Sequence, residues 1–291
     1  MRRGSTRRIA GRTRRGGQAR NGRLTLRLHS TDALARCVVM LDRPFTETIN
    51  VDGCDFEVWL KSPGAKRAVP KRDRHLGTGF LVGTDDAAFL VTAAHVARRM
   101  DREARLSYAS RGGHRISRRL ADLLAPGSRQ HVWVFHRSAD VALARLRPLP
   151  ELQRRALPAD LLLARAEAPS WSLDLLAIGF PLGLASELHF APIAKRAQAA
   201  SAIVRFRGEE MERPANFFLL DQPVVGGYSG APVFVAPQAR LTDSGKPEAV
   251  AGRCVGLLSQ TISLETVGQF TAVVPSSTIC SMLRGQGRAS R

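Results

Sequence analysis

Residues Gly77–Val96 read GTGFLVGTDDAAFLVTAAHV, and this stretch decides the predicted fold. Two short apolar runs rich in β-branched and aromatic residues, Gly79–Val82 and Ala88–Thr92, flank a polar turn at residues 85–86. Such runs, separated by a short turn, are typical of a β-hairpin. The second run is followed by two small alanines and His95, so we expect the hairpin to place an accessible imidazole at the end of a buried strand.

The same pattern of short apolar runs, broken by Gly, Pro, Asp and Ser, continues from about residue 33 to the end of the chain. Besides the hairpin, it predicts strands at Cys37–Leu41, Phe56–Leu60, Val132–Phe135, Val141–Leu146, Leu175–Phe180, Ala202–Phe206, Phe217–Leu220, Pro232–Val235, Val255–Leu258 and Thr271–Val274. A dozen short strands with little helical periodicity between them predict an all-β protein of the sandwich or barrel type. Short helices are predicted at His95–Met100, Asp160–Arg165 and Ser276–Leu283.

Three prolines surround a charged stretch at residues 147–160, and this composition is typical of a linker. We therefore expect two β-domains of similar size, at residues 33–150 and 151–285. Residues 1–32 are predicted to form a disordered arm rich in Arg, and residues 286–291 a flexible tail.

The composition excludes several classes of protein. A chain of 291 residues with 44% hydrophobic and 24% charged residues can bury an ordinary core, so a small disulfide-stabilised scaffold is excluded. No apolar run approaches the roughly 20 residues that a membrane-spanning helix needs. The four cysteines show no C-x-x-C spacing, so we expect reduced thiols and neither a metal site nor a cofactor.

The formal net charge of +19 is the most unusual feature, and about half of it lies in the N-terminal arm. Residues 1–28 contain ten Arg and no acidic residue. Three explanations stay open: a solvated arm, a contact with nucleic acid or another anionic surface, and an organelle presequence, which the glycines of this segment disfavour. The apolar stretch of a secretory signal does not follow the arginines, so a cytoplasmic location is expected.

Three polar positions interrupt the apolar pattern, at His95, Asp140 and Ser229. Asp140 opens an apolar strand, so its carboxylate is expected to be partly buried and to need hydrogen-bond donors, one of which could be a histidine Nδ1–H. Ser229 lies among glycines that allow a sharp turn, in which the backbone N–H groups of Gly227 and Ser229 can point into one space and bind an oxyanion. Taken singly, each residue could instead be structural: a core histidine, a turn aspartate and a serine in a tight turn.

Six short segments occur in order along the chain: Gly77-Thr-Gly-Phe, Thr92-Ala-Ala-His95, Asp140-Val-Ala-Leu, Ala177-Ile-Gly-Phe-Pro-Leu-Gly183, Gly227-Tyr-Ser-Gly and Val274-Pro-Ser-Ser. In this order they resemble the trypsin/chymotrypsin-like serine protease family, most closely its bacterial, disulfide-free HtrA (Deg)-type branch, over roughly residues 35–285. The resemblance implies an all-β fold of two six-stranded antiparallel β-barrels packed side by side, with the catalytic residues in the cleft between them. A short C-terminal helix follows the second barrel.

The resemblance also implies the chemistry. Ser229 is expected to attack the peptide carbonyl and form an acyl-enzyme intermediate, His95 to transfer the proton, and Asp140 to orient the histidine. The N–H groups of Gly227 and Ser229 are expected to form the oxyanion hole. Tyr228 stands where many trypsins have an Asp, so activation by a newly cut N-terminus is not expected.

Substrate residues are assigned by the same resemblance. Ser259 matches a family serine that hydrogen-bonds the catalytic aspartate and begins the edge along which a polypeptide substrate pairs as an added β-strand. Pro223 stands where trypsin has an acidic residue, so no charge supports selection of Arg or Lys. The predicted substrate-binding residues are Pro223, Val224, Ser259, Gln260 and Thr261. An uncharged pocket that favours small or aliphatic residues is expected near Pro223, Val224, Thr261 and Thr271.

Two other functions fit parts of the pattern. An α/β-hydrolase also uses Ser, Asp and His, but in another order along the chain, and its G-x-S-x-G motif is broken here by Ala231. An inactive or latent protease-fold binding module, tethered to nucleic acid by residues 1–28, stays open as the alternative to a serine endopeptidase.

Overall fold

The computed structural model describes residues 30–46, 48–51, 54–57, 59–60, 69–70, 72–126, 132–184, 190–208, 210–241, 247–250, 252–264 and 268–288. The arginine-rich segment 1–28 and its predicted contact with nucleic acid lie outside the described residues. Within the described part, short antiparallel strands form two large sheets, which confirms the predicted all-β class.

The strands of the N-terminal half are β1 (Val38–Thr46), β2 (Thr48–Val51), β3 (Cys54–Glu57), β4 (Trp59–Leu60), β5 (Val69–Pro70), β6 (Arg72–Gly83), β7 (Ala88–Thr92), β8 (Arg105–Ala109), β9 (Arg115–Arg119), β10 (Val134–Phe135), β11 (Ala142–Leu146) and β12 (Leu157–Pro158). The first sheet has the order β10-β11-β7-β6-β1-β8-β9, and β12 pairs with β6 in addition. The strands β2 and β3 pair with each other, as do β4 and β5.

The strands of the C-terminal half are β13 (Leu175–Gly179), β14 (Ile193–Ala197), β15 (Val204–Phe206), β16 (Ala215–Leu220), β17 (Pro232–Val235), β18 (Gln238–Leu241), β19 (Pro247–Val250), β20 (Cys254–Leu264) and β21 (Gly268–Pro275). The second sheet has the order β14-β13-β17-β20-β21-β16-β15, while β18 and β19 pair with each other. In the described chain, each large sheet therefore has six strands of at least four residues, as the barrels require, and the additional strands β10, β12 and β15 are shorter.

The hairpin of β6 and β7 forms the centre of the first sheet. Its turn is closed by Thr84, whose backbone N–H and hydroxyl donate to the carbonyl of Ala87 at 2.8 and 3.2 Å. All five residues of β7 are buried, because β6 and β11 pair with its two edges and the core packs against it. The chain leaves β7 through an extended Ala93, and the next helix begins one residue before His95.

The helices are α1 (Thr31–Ala35), α2 (Ala94–Arg98), α3 (Leu120–Leu123), α4 (Pro150–Gln153) and α5 (Ser276–Arg288). The predicted helix at Asp160–Arg165 is wrong. Only a 3₁₀ turn forms at Ala159–Leu161, because the chain then extends and the backbone N–H of Leu163 bonds the carbonyl of Cys254 at 2.9 Å. Helix α5 continues past its predicted end, so residues 286–288 are helical rather than the start of a flexible tail.

A single cluster of buried apolar side chains extends through both sheets. It contains Leu41, Phe80 and Leu90 of the first sheet and Phe217 and Phe234 of the second. A smaller cluster lies within the second half of the chain. Because the two sheets share a continuous core, the loops at their facing ends are held in a fixed relation to each other.

Three of the strands that the apolar pattern missed contain Lys or Arg. Two of them, β8 and β9, form a hairpin in which arginines occupy exposed positions, and β14 contains Lys195 and Arg196. The domain limit at residues 150–151 stays a prediction, although β12 lies beyond that limit and pairs with β6 of the first sheet. No helix in the described part of the chain is long and apolar enough to cross a membrane.

Candidate active site

The carboxylate of Asp140 lies at the centre of a buried hydrogen-bond network. Only 4% of the residue is exposed. Its Oδ1 accepts a hydrogen bond from the backbone N–H of His95 at 2.9 Å, and its Oδ2 lies 2.8 Å from the Nδ1 atom of the same histidine. The hydroxyl of Ser259 donates to Oδ2 at 2.6 Å. The structure therefore brings three of the predicted site residues into direct contact.

The charge state of this pair follows from these contacts. Burial by itself would raise the pKa of Asp140, but the hydrogen bonds from His95 and Ser259 and the charge of His95 outweigh it, so the pKa of this carboxyl lies below its ordinary value. Because an ionised carboxylate only accepts hydrogen bonds, the Nδ1 atom of His95 carries a proton. In the neutral imidazole the Nε2 atom then has a free lone pair, and this tautomer can take a proton from a hydroxyl group.

The loop that presents Asp140 is folded around a second histidine, His136, which the sequence pattern did not reveal. Its Nδ1 atom accepts hydrogen bonds from the backbone N–H groups of Ser138 and Ala139, at 3.2 and 2.9 Å. The backbone N–H of His136 donates to the carbonyl of Val141 at 2.9 Å. Burial lowers the pKa of His136, which keeps Nδ1 unprotonated and able to accept these bonds.

The loop at residues 221–231 carries Ser229 and rests on the end of the first sheet. The backbone N–H of Thr78 donates to the Ser229 carbonyl at 3.0 Å, and the Thr78 hydroxyl donates to the Gly227 carbonyl at 2.7 Å. The same hydroxyl accepts a hydrogen bond from the backbone N–H of Phe180 at 3.0 Å. Thr78 on β6 therefore joins the first sheet to two segments of the second half.

Close packing at Gly230 brings this loop against the strand that leads to His95. Gly230 has a φ of +85°, and a Cβ atom at this position would collide with the carbonyl oxygen of Thr78 and the hydroxyl of Thr92. The same atom would lie 3.0 Å from the backbone nitrogen of Ala93. Only glycine fits here without a shift of the loop. Since Ala93 precedes His95 by two residues, the loop packs beside the histidine.

The backbone N–H groups of the loop fall into two sets. Those of Tyr228, Gly230 and Ala231 donate to backbone carbonyls at 3.4, 2.8 and 2.8 Å. Those of Gly227 and Ser229 have no acceptor among the residues that the structure describes. The φ of +94° at Gly227 lies in the region that favours glycine. Two unpaired N–H groups beside a serine are the donors that an oxyanion hole requires.

Of the three residues predicted to be catalytic, Ser229 is the one whose side chain makes no direct contact with the other two among the described residues. Ser229 is half-buried, and within the described ranges its hydroxyl forms no hydrogen bond with His95. The structure thus packs the loop of Ser229 beside His95 but does not join the two side chains. Hydrogen bonds of this kind are often long before a substrate binds.

The first part of this loop is held by three side chains from three strands. Each carbonyl group of residues 222–224 accepts one hydrogen bond. Thr271 on β21 donates to the first and Thr261 on β20 to the last, at 2.7 and 2.9 Å. The ammonium group of Lys195 on β14 donates to the carbonyl of Pro223. A positive charge therefore lies beside the pocket floor that was expected to be uncharged.

A β-bulge sets the direction of the Ser259 side chain. The pairing of β20 with β21 shifts between Leu258 and Gln260, and Ser259 is the residue at the shift. On the other edge of β20, β17 pairs only as far as Leu257. Among the described strands, none covers that edge of residues 259–261, where the substrate is expected to pair.

A model of the trypsin-like peptidase domain family matches residues 77–241. This segment covers more than half of the chain and includes His95, Asp140 and Ser229. The chain belongs to the trypsin-like peptidase domain family. The fold expected from the six sequence segments is thereby confirmed, whereas the catalytic roles of the three residues stay predictions.

Several solved structures are similar to this trypsin-like chain. The HtrA-type protease AlgW with a decapeptide has 15% sequence identity and a TM-score of 0.49, and the match covers 86% of this chain. This chain spans 64% of the length of the AlgW chain. The thermostable serine protease AL20, from an extremophilic microorganism, has 12% identity and a TM-score of 0.40, over 86% of this chain and 95% of its own. Human heparin binding protein has 11% identity and a TM-score of 0.45, over 87% of this chain and 92% of its own. A comparison with curated proteins found no match.

Three residues of the trypsin-like domain join the site without having been predicted from the sequence. Thr78 lies inside the Gly77-Thr-Gly-Phe segment, so this motif was the available signal. His136 precedes Asp140 by a short loop, and this spacing was a weaker signal. Lys195 carried no signal, because its contact with Pro223 joins positions 28 residues apart on separate segments.

Among the described residues, no group of three or more His, Cys, Asp or Glu side chains is placed to hold a metal ion.

Proposed function

We propose that this chain is a serine endopeptidase that hydrolyses peptide bonds through Ser229, His95 and Asp140 by way of an acyl-enzyme intermediate. One observation carries the proposal. The His95 imidazole has its Nδ1 bonded to Asp140, the loop of Ser229 packs against Ala93 two residues before it, and the N–H groups of Gly227 and Ser229 have no acceptor among the described residues. A base of fixed tautomer and a pair of oxyanion donors are the two elements that acyl transfer from a peptide needs.

The proton path follows from the tautomer of the histidine. Nε2 of His95 takes the proton of the Ser229 hydroxyl as the serine oxygen attacks the substrate carbonyl, and it then returns this proton to the leaving amine. The Asp140 carboxylate holds the Nδ1 proton and stabilises the imidazolium that forms. The N–H groups of Gly227 and Ser229 bind the oxyanion of the tetrahedral intermediate. Water then attacks the acyl-enzyme along the same proton path.

The substrate in this proposal is a polypeptide that adds as a strand to the free edge of residues 259–261. The support is the end of β17 pairing at Leu257, which leaves the backbone groups of this edge available. The substrate side chain next to the cleaved bond then lies near Pro223, Val224 and Thr261. The proposed preference is for small or aliphatic residues, since no acidic group lines this set of predicted positions and the Lys195 ammonium beside them donates to the carbonyl of Pro223.

The decisive experiment is labelling of the purified chain with a fluorophosphonate, which reacts with activated serines. We expect covalent labelling that mass spectrometry maps to Ser229, and we expect Ser229→Ala to abolish it. Ser172→Ala is the matched control, because Ser172 is exposed and its hydroxyl contacts only Ser170 among the described side chains. The control should be labelled at the wild-type rate.

Labelling that persists in Ser229→Ala would disprove the assignment of the nucleophile. Absence of labelling and of casein cleavage in the wild-type chain would disprove the active protease.

A second candidate function is a latent or inactive protease-fold module that binds peptides. The observation that favours it is the lack of a hydrogen bond between the described side chains of Ser229 and His95. Such a module binds a peptide along residues 259–261 but neither cleaves it nor reacts with a fluorophosphonate. Labelling in the presence and absence of a bound peptide therefore separates the two functions.

A further inference from the structure

A cleft of about 740 Å³ opens on the first half of the molecule, and none of its lining residues belongs to the candidate active site. It lies between α1, α4, the hairpin of β8 and β9, and the segment that precedes β14. We name it the arginine cleft, after a lining that includes Arg36, Arg111, Arg154, Arg155, Tyr108 and Phe190. Its volume falls within the range of about 300–1,000 Å³ that is typical of small-molecule sites.

The arginine cleft has more positive than negative charge. Four arginines line it, together with two carboxylates, Asp32 and Glu151. Glu151 already has partners, because Arg118 from outside the lining pairs with it at 3.1 Å and the Tyr108 hydroxyl donates to it at 2.9 Å. Within the described part of the chain, none of the four lining arginines forms an ion pair. An anion of more than one charge would offset this excess.

Arg155 is the best-positioned of these arginines. Its guanidinium is half-buried, donates one hydrogen bond to the carbonyl of Ala109 and lies 5.1 Å from the centre of the Tyr108 ring. Burial lowers the pKa of Arg155, Tyr108 and Glu151 partly offset this effect, and the charges of Arg36 and Arg154 add to it. The Arg155 guanidinium is thus held in place before any ligand binds. Its other N–H groups have no acceptor among the described residues.

Part of the cleft wall is apolar. Val38, Ile116 and Phe190 line it, and the ring of Tyr108 lies next to the Arg155 guanidinium. The Phe190 ring is held in place because it stacks on the ring of Phe180, with 4.8 Å between the ring centroids. A ligand in the cleft would therefore meet both guanidinium groups and apolar side chains.

We propose that the arginine cleft binds a small phosphate monoester that carries an aromatic or apolar group. A phosphate monoester has a charge of about −1.5 to −2 at neutral pH, which suits a cleft lined by four arginines better than a single carboxylate does. The volume of the cleft fits a small molecule, and its apolar wall supplies the surface for the organic group. This site is independent of the proposed peptidase activity.

The test is calorimetric titration of the full chain with phenyl phosphate, inorganic phosphate and phenol at one fixed ionic strength. We expect phenyl phosphate to bind at one site per chain and more tightly than either of the other two probes. The variants Arg155→Gln, Arg154→Gln and Arg36→Gln should each weaken binding about tenfold to a hundredfold. Arg119→Gln is the matched control, because it removes the same charge from an exposed arginine outside the cleft.

The exposed positions of Arg36 and Arg154 keep the test valid if Arg155→Gln does not fold. Equal weakening by Arg119→Gln would show a general electrostatic attraction to a basic chain and overturn the proposal. It would also be overturned if phenyl phosphate does not bind, if it binds no better than inorganic phosphate, or if the exposed cleft variants keep the wild-type affinity.

Discussion

On the first-sheet side of the candidate active site, the Asp140 carboxylate accepts three hydrogen bonds and is almost fully buried. On the second-sheet side, the Ser229 hydroxyl and the N–H groups of Gly227 and Ser229 have no partner among the described residues. The acid-base pair is therefore fixed by the protein itself, whereas the loop of the serine keeps its donors available for a substrate.

This difference explains where strain and free donors are concentrated. A buried carboxylate is stable only when hydrogen bonds compensate its lost hydration, so the first side has to be fully paired. In the proposed mechanism, the second side gains nothing from pairing its N–H groups before a substrate arrives, since they would act on charge that develops during the reaction. Glycines at positive φ and the hydrogen bonds of Thr78 hold the loop in place without using those donors.

The largest expected effect comes from removing the base on the fully paired side. His95→Ala should reduce the rate of fluorophosphonate labelling at Ser229 by at least about 10³-fold, because no other group takes the serine proton. His114→Ala is the control, since His114 is exposed in the turn of the β8–β9 hairpin. If His95→Ala were labelled at the rate of the His114→Ala control, Ser229 would be activated without the pair of His95 and Asp140.

A change on the loop side should have the next largest effect. In Gly230→Ala, the new methyl group meets Thr78 and Thr92 at a positive φ, so the loop must shift. We expect a loss of at least about 1–3 kcal/mol in the free energy of unfolding, measured by urea denaturation, and a clear loss of labelling. In Gly226→Ala nothing lies within 4 Å of the added Cβ atom, so this neighbouring variant is the control. Similar stability of the two variants would contradict the proposed packing.

Thr78→Val tests the connection between the two sides. The change keeps the shape of the side chain but leaves the carbonyl of Gly227 and the N–H of Phe180 without their partner. We expect a loss of about 1–3 kcal/mol in stability and a slower labelling reaction, because the oxyanion donors are no longer held in position. Thr84→Val, at the far end of the same hairpin, removes a turn hydrogen bond and should leave labelling unchanged. Equal labelling of both variants would show that Thr78 has no part in positioning the loop.

The two sides also show how much of the fold and of the candidate site the sequence alone predicts. Strand β7 was predicted with its observed limits, because a strand buried throughout has an uninterrupted apolar run. The polar strand β9 was missed, because its arginines are exposed and interrupt any apolar run. His95, Asp140 and Ser229 were found through short motifs. The link through Lys195 could not be found, because it joins positions distant in sequence and depends on how the strands fold together.

The smallest expected effect concerns one of the three hydrogen bonds to Asp140. Because the pKa of this carboxyl is lowered in the folded state, its stabilisation is complete above the ordinary pKa of about 3.9 and is lost as the pH falls through the folded value. Ser259→Ala removes a donor to the ionised form, so the folded pKa rises. We expect the variant to be about 1 kcal/mol less stable at neutral pH, with a difference from wild type that shrinks as the carboxyl is protonated.

Urea denaturation from pH 7 down to a pH at which the Asp140 carboxyl is protonated in the folded wild type measures this difference. The matched control is Ser276→Ala, which removes a hydrogen bond of similar burial from a hydroxyl that donates to the neutral carbonyl of Leu163. Its loss of stability should not depend on the charge of Asp140. A difference between Ser259→Ala and wild type that stays constant over this pH range would mean that Ser259 serves packing rather than the charged form of Asp140. The ionised Asp140 carboxylate would then be stabilised by its hydrogen bonds with His95 alone.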